Sequence, residues 1–188
     1  MFKSKTVTRS TYLVICLGFF VGCMSTDHYV KQDAKFSRFK RAAVLPFAPP
    51  PEVPKEQASG ICEGVADIVA TQLLKKGWDV VERARVQAIF EERNLEISEF
   101  PVGTNLDKVR QLLAVDCFVT GSITEWREFI AFRNDGGVGI TIKIYDGYTG
   151  QLVWSGSGTS TLTLLDDKRQ SYHAQRIIKD LCNNIPAG

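Results

Sequence analysis

Residues 138–145 restrict the fold of this chain more than any other stretch. Val138, Ile140, Ile142 and Ile144 alternate without a break with Gly139, Thr141, Lys143 and Tyr145. Successive side chains of a strand point to opposite faces, so the pattern describes a strand buried on one face only. Such a strand cannot cover its apolar face alone; it requires a sheet and a second layer packed on it. Asn134-Asp135-Gly136-Gly137 before it and Asp146-Gly147-Tyr148-Thr149-Gly150 after it have hairpin-turn composition. Phe118 to Phe129 and a run from Gln151 into the Ser/Gly/Thr stretch at 155–161 supply the neighbouring strands of an antiparallel meander.

The chain before the meander has a different rhythm. Arg41 to Phe47 is a short apolar run of the kind buried on both faces, ended by Pro46. The proline-rich loop from Ala48 to Pro54 is stiff and extended. A helix is expected from about Gln57 to Lys76, with Ile61, Val65, Val69 and Leu73 on one face and Gly77 as its cap. Trp78 to Glu82 reads as a second strand and Ala84 to Arg93 as a short helix. Thr104-Asn105-Leu106-Asp107 matches a capping box and opens another helix, which ends near Ala114. A last helix begins near Ser171 and carries Ala174, Ile177, Ile178, Leu181 and Ile185 inward. The order is β-α-β-α-α-β-β-β-α, an α/β fold with one mixed β-sheet flanked by helices. The 188 residues suffice for one domain with a core that needs no disulfide support.

The first 22 residues stand apart. A basic start, with Lys3, Lys5 and Arg9, precedes an apolar run over residues 11–22. Twelve helical residues span about 18 Å, short of a roughly 30 Å hydrocarbon core. This is the shape of an export signal. It ends in Phe20-Val21-Gly22-Cys23, which resembles the lipobox of bacterial lipoproteins and implies a lipidated Cys23 as the first mature residue. Met24 follows, not the Asp that would resemble an inner-membrane retention signal, so the outer membrane is the expected destination. Residues 24–40 are polar and without period, and read as a linker from the anchor to a domain over 41–186. Fully stretched, such a linker reaches about 60 Å; as a coil it averages about 20–25 Å. His28 within it is expected to face solvent.

The formal net charge of +2 belongs to that leader, since removing its three cations leaves one net negative charge on the rest. A nucleic acid partner is therefore not expected. Residues for catalysis are also wanting. His173 starts the last helix and reads as a surface residue. No His or Cys pair has zinc spacing. Gly121-Ser122 lies within a strand and lacks the flanking glycines of a nucleophile elbow. Asp146-Gly147 and Thr149-Gly150 read as turn chemistry, and Asp166-Asp167 as solvated loop acids. No enzyme activity, cofactor, metal or small-molecule substrate is expected. Cys16 leaves with the signal. Cys62, Cys117 and Cys182 are expected as buried thiols, with a Cys62–Cys182 disulfide as the alternative.

Several pieces together are similar to the curli-secretion lipoprotein family, CsgG. They are Val81-Glu82-Arg83, Ile89-Phe90-Glu91-Glu92-Arg93-Asn94-Leu95, Val115 through Thr124, and Ile144-Tyr145-Asp146-Gly147-Tyr148-Thr149-Gly150, in matching order and spacing across roughly residues 41–165. The domain plan also resembles outer-membrane lipoprotein activators of peptidoglycan synthases, the LpoB type. The resemblance implies a lipidated periplasmic α/β domain. The secretion family forms a pore from two long β-hairpins per subunit, each needing two strands of about 9–11 residues. Here the connection at 129–138 is too short for one, and Leu162 to Arg169 is short and charged. The loop at 48–55 carries no Tyr, Phe or Asn for a pore constriction. The expectation is an outer-membrane lipoprotein on the periplasmic face, acting as a binding or assembly module for an envelope structure. Its partners would be lipid through Cys23 and envelope proteins or further copies of itself. Activation of a peptidoglycan synthase is the alternative. The edges of the meander and the loops at 48–55 and 94–104 are candidate contact surfaces.

Overall fold

The computed structural model describes residues 23–92, 106–128, 136–162 and 169–186. Six strands form one mixed sheet: β1 (Met24–Val30), β2 (Arg41–Val44), β3 (Asp79–Val81), β4 (Cys117–Arg127), β5 (Gly137–Asp146) and β6 (Leu152–Thr161). Their spatial order is β1-β6-β5-β4-β2-β3. β2 runs parallel to both β3 and β4, and the other pairs are antiparallel. Four α-helices complete the fold: α1 (Lys55–Lys75), α2 (Arg83–Glu92), α3 (Leu106–Leu113) and α4 (Gln170–Asn183). The α/β class and the expected order hold, with one strand added in front.

That added strand corrects the linker reading of residues 24–40. Met24–Val30 pairs antiparallel with β6 along its whole length, from Met24 opposite Ser160 to Val30 opposite Trp154. A single 3-10 turn follows at Phe36–Arg38. Phe36 and Phe39 are buried and meet edge to face at 5.5 Å, an arrangement that suits the aromatic quadrupole. The segment is part of the domain, and no stretch of residues 24–40 remains as a free coil.

Helices cover the sheet unequally. α1 and α4 pack together on one face, over Ala42, Val44, Val119, the four aliphatic residues of β5 and Trp154. Val138, Ile140, Ile142 and Ile144 are fully buried there, as the alternation requires. Each such side chain contributes about 1.5–3 kcal/mol by leaving water. α2 and α3 occupy the other face, against Ala43, Leu45, Val81 and Phe118. β2 is thus buried on both faces, which explains its unbroken apolar run. Along β1 and β6 that second face is open: Ser25, Asp27, Tyr29, Ser157 and Thr159 are exposed.

Local chemistry sets the ends of the elements. Gly77 adopts φ +83°, and Trp78 N–H donates to the Leu73 carbonyl at 3.1 Å, closing α1 with a left-handed glycine cap. Asp116 holds the start of β2 by accepting from the N–H groups of Lys40 and Arg41 at 3.0 and 2.9 Å. In the turn after β5, Asp146 Oδ1 accepts from Tyr148 N–H at 2.9 Å and Thr149 Oγ1 from Gln151 N–H at 3.3 Å. These are the turn roles expected of both residues. Thr104, Asn105, the loop at 94–104, Asn134, Asp135 and the Asp166-Asp167 pair lie outside the described residues.

Candidate functional site

Cys23 is exposed and immediately precedes β1. Its carbonyl accepts from Thr161 N–H at 3.2 Å, so the candidate anchor residue is itself joined to the sheet. Register fixes which end of the molecule this is. Met24 stands opposite Ser160, and Ser160 opposite Val138. The Cys23 end therefore also holds the close of β4 at Arg127 and the start of β5 at Gly137, which pair with each other. The turn at 147–150 lies at the far end, where Arg110 stands 4.3 Å from the exposed Tyr148 ring.

The other described cysteines are removed from chemistry. Cys62, Cys117 and Cys182 are all buried and unpaired, so the disulfide alternative is not realised. Desolvation in the core pushes the Cys182 thiol up to about 12 and the Cys117 thiol well above its ordinary range. Burial raises Cys62 as well. A thiol held protonated is a poor nucleophile and a poor metal ligand. Among the described residues, no group of three or more His, Cys, Asp or Glu is placed to hold a metal ion.

His173 departs from its surface reading. It is 2% exposed, and its Nδ1 lies 2.8 Å from Ser160 Oγ, joining the first turn of α4 to β6. The edge of Tyr172 covers its ring. The pair is shut off from solvent and sits on a well-packed seam, a structural role. His28 is exposed on β1, as expected. Gly121 and Ser122 lie mid-strand in β4, and Ser122 forms an isolated parallel bridge with Ala48. The 48–55 loop is thereby tied to the sheet, with Ala48 N–H donating to Gly121 at 2.9 Å and Ile123 N–H to Ala48 at 3.0 Å.

What the sequence did not disclose is a groove of about 1310 Å³ at the β3 edge. α1 and α2 lie on opposite faces of the sheet there, and β3 is its terminal strand, so the two helices wall a cleft around the strand. Ala66, Ala70, Val80 and Phe90 give it an apolar lining, and Leu74 beside them is 55% exposed. Glu63, Asp67, Glu82 and Glu91 add carboxylates, partly answered by Arg83, which pairs with Glu63 at 2.8 Å and Asp67 at 3.8 Å. The only sequence signal was the row of small residues along one flank of α1, and that row also suits plain helix packing. No helix among the described residues is long and apolar enough to cross a membrane.

Comparison with known proteins agrees with this architecture. A PelC dodecamer from Paraburkholderia phytofirmans superposes with a TM-score of 0.57 at 19% identity, covering 85% of this chain and 95% of that one. The lipoprotein GNA1162 from Neisseria meningitidis superposes with a TM-score of 0.55 at 17% identity, covering 78% and 99%. The LpoB C-terminal domain from Salmonella enterica, at 0.40 and 10% identity over 65% and 83%, is too distant to bear on function. No curated protein matches the chain in sequence. The family model for the curli production assembly/transport component CsgG matches residues 38–152, which span β2 to the start of β6. The chain belongs to the CsgG family.

Proposed function

We propose that this protein is a lipoprotein held through Cys23 on the periplasmic face of the outer membrane. It acts as a non-enzymatic assembly module, associating with further copies of itself in the export or assembly of an envelope structure. The observation that carries this reading is the position of Cys23, exposed and one residue before an edge strand. Acyl chains there would hold one end of the sheet at the lipid surface with no linker between. Two or more chains give stable anchoring, at about 0.8 kcal/mol per buried CH₂. The PelC neighbour is a dodecamer, which motivates self-association. Among the described residues, the thiols of Cys62, Cys117 and Cys182 and the His173–Ser160 pair are buried, which supports the non-enzymatic reading.

Activation of a peptidoglycan synthase ranks second. Such a protein must reach from its membrane to a synthase domain, and the pairing of residues 24–30 with β6 takes up the chain that would serve as a tether. Mass spectrometry of the protein purified from cell envelopes is expected to show residue 23 at the N-terminus and acylated. Cys23→Ser is expected to move the protein out of the membrane fraction. An unmodified residue 23 in membrane-retained protein would overturn the anchoring.

A further inference from the structure

β3 is the last strand of the sheet, and its outer edge has no strand beside it among the described residues. It runs parallel to β2, with Asp79 opposite Arg41 and Val81 opposite Ala43. Asp79 N–H donates to the Lys40 carbonyl at 2.7 Å. In a parallel ladder a residue turns both of its main-chain groups to one side, and its neighbours turn theirs to the other. Asp79 and Val81 therefore bond toward β2, and the N–H and C=O of Val80 point to the free edge, into the groove between α1 and α2. The two walls of that groove follow one plan. The α1 wall combines Ala66, Ala70 and Leu74 with Glu63 and Asp67. The α2 wall combines Phe90 with Glu91, and Glu82 stands where β3 ends. Arg83 is engaged by Glu63 and Asp67, and among the described residues no other Lys or Arg lines the groove.

We infer that this groove takes an extended, lysine- or arginine-rich segment of a different envelope protein, which adds to the sheet as a strand beside β3. The inference rests on the assembly-module reading above and gives the chemistry of the partner. An incoming strand would bond to Val80, as peptides do when they extend an exposed sheet edge. β3 has only three residues, so these bonds are few and the walls must supply the rest. An added strand sends alternate side chains toward α1 and toward α2. Both walls suit the same kind of side chain, an aliphatic stem against the apolar lining and a cationic head at a carboxylate. Lys and Arg have that construction. Opposite charge also fixes orientation and speeds encounter.

Size points the same way. The groove measures about 1310 Å³, above the roughly 300–1,000 Å³ of sites for small molecules and suited to a peptide. A sheet edge that is only protected from aggregation is short and charged. β3 is both, with Asp79 exposed at its start, yet two apolar walls facing its free side form no part of that defence.

The test uses the full chain, purified from envelopes in detergent, and labelled synthetic peptides read by fluorescence anisotropy. The first peptide is Val-Lys-Lys-Val-Val-Lys-Lys-Val, which sets Val and Lys on both faces of a strand. The second replaces every Lys with Glu. The third keeps the first sequence with N-methyl groups on its Val amides, which removes strand donors on both edges. The unaltered chain is expected to bind the first peptide, and to bind the other two about 10-fold more weakly or less. The doubly substituted chain Glu82→Lys with Glu91→Lys, shown to be folded by circular dichroism, is expected to reverse the order and prefer the Glu peptide. Simple damage to the fold would weaken both peptides alike. Raising salt to about 0.5 M is expected to weaken binding of the first peptide. No binding of that peptide, whether a second copy, the chain itself or nothing fills the groove, overturns the inference and leaves anchoring through Cys23 standing. Binding that N-methylation leaves unchanged overturns strand addition, and a preference that the charge reversal leaves unchanged overturns the site. A chain found unacylated at residue 23 overturns the anchored reading whatever the peptides do.

Discussion

Burial at single residues sets how this protein responds to pH. Cys182 sits in the seam between α4 and the rest of the main core, where desolvation raises its thiol from 9.0 to about 12, the nearby Lys76 partly opposing the shift. Above about pH 9 the unfolded chain loses this proton while the folded chain keeps it. The unfolded state then binds fewer protons, so the thiol's contribution is intact below pH 9 and lost as pH climbs toward 12. Cys117, raised further by burial and by Asp116, acts in the same direction. The expected outcome is a melting temperature that falls between pH 9 and 11, with a shallower fall in Cys182→Ala. Parallel curves for the two proteins would show that this thiol does not titrate in that range. Of these residues, the buried thiols were readable from sequence because cysteines at inward helix and strand positions pack as small apolar groups. His173 was not. Its place one residue before Ala174 looked like a solvated helix start, and only the approach of Ser160 on β6 makes it a core residue.

At the scale of elements, the contact between α4 and β6 depends on glycine. A Cβ built at Gly158 would stand 2.6 Å from Ile177 Cγ2 and 2.8 Å from Thr26 Cγ2. At Gly156 it would stand 2.5 Å from Trp154 Cη2 and 3.1 Å from Leu181 Cδ2. The absent side chains let the helix descend onto the sheet and fix its height. Gly158→Val is expected to lift α4 and to cost about 1–3 kcal/mol in urea unfolding. Thr159→Val, on the open face of the same strand, is expected to stay within about 0.5 kcal/mol. Equal costs would mean that α4 is held elsewhere. The same strand shows where sequence patterning stops being informative. β5 was legible because its inward positions are all aliphatic. β6 fills its inward positions with Trp154, Gly156, Gly158 and Ser160, so its alternation is one of size and not of hydropathy. β1 was missed altogether: only Met24, Thr26 and Val30 are partly covered while His28 in the same row is exposed, and an edge strand lying under one helix needs little apolar surface. The groove at β3 lay beyond sequence reading for another reason. It exists only because α1 and α2 fall on opposite faces of a terminal strand, a relation that depends on strand order.

For the molecule as a whole, folding residues 24–30 into the sheet would turn the proposed lipid anchor at Cys23 into an orienting device. A free linker of that length would let the domain tumble at roughly 20–25 Å from the bilayer. With β1 paired to β6 in full register, an anchor on Cys23 would leave from a fixed point at one strand end. β5 runs for 10 residues from that end to the turn at 147–150, a length of about 30 Å at strand rise. The Cys23 end is therefore expected to rest near lipid, and Tyr148 to stand about one domain length away. The inert thiols make this measurable, since Cys62, Cys117 and Cys182 are buried and Cys23 is expected to be acylated. A dye placed through Glu128→Cys is expected to be quenched strongly by acceptor-labelled lipid in vesicles carrying the anchored protein. The same dye placed through Tyr148→Cys is expected to be quenched weakly. Inserting about 20 Gly/Ser residues between Cys23 and Met24 frees the domain to tumble and should bring the two signals together. Equal quenching in the uninserted protein would mean that β1 does not hold the sheet to its anchor.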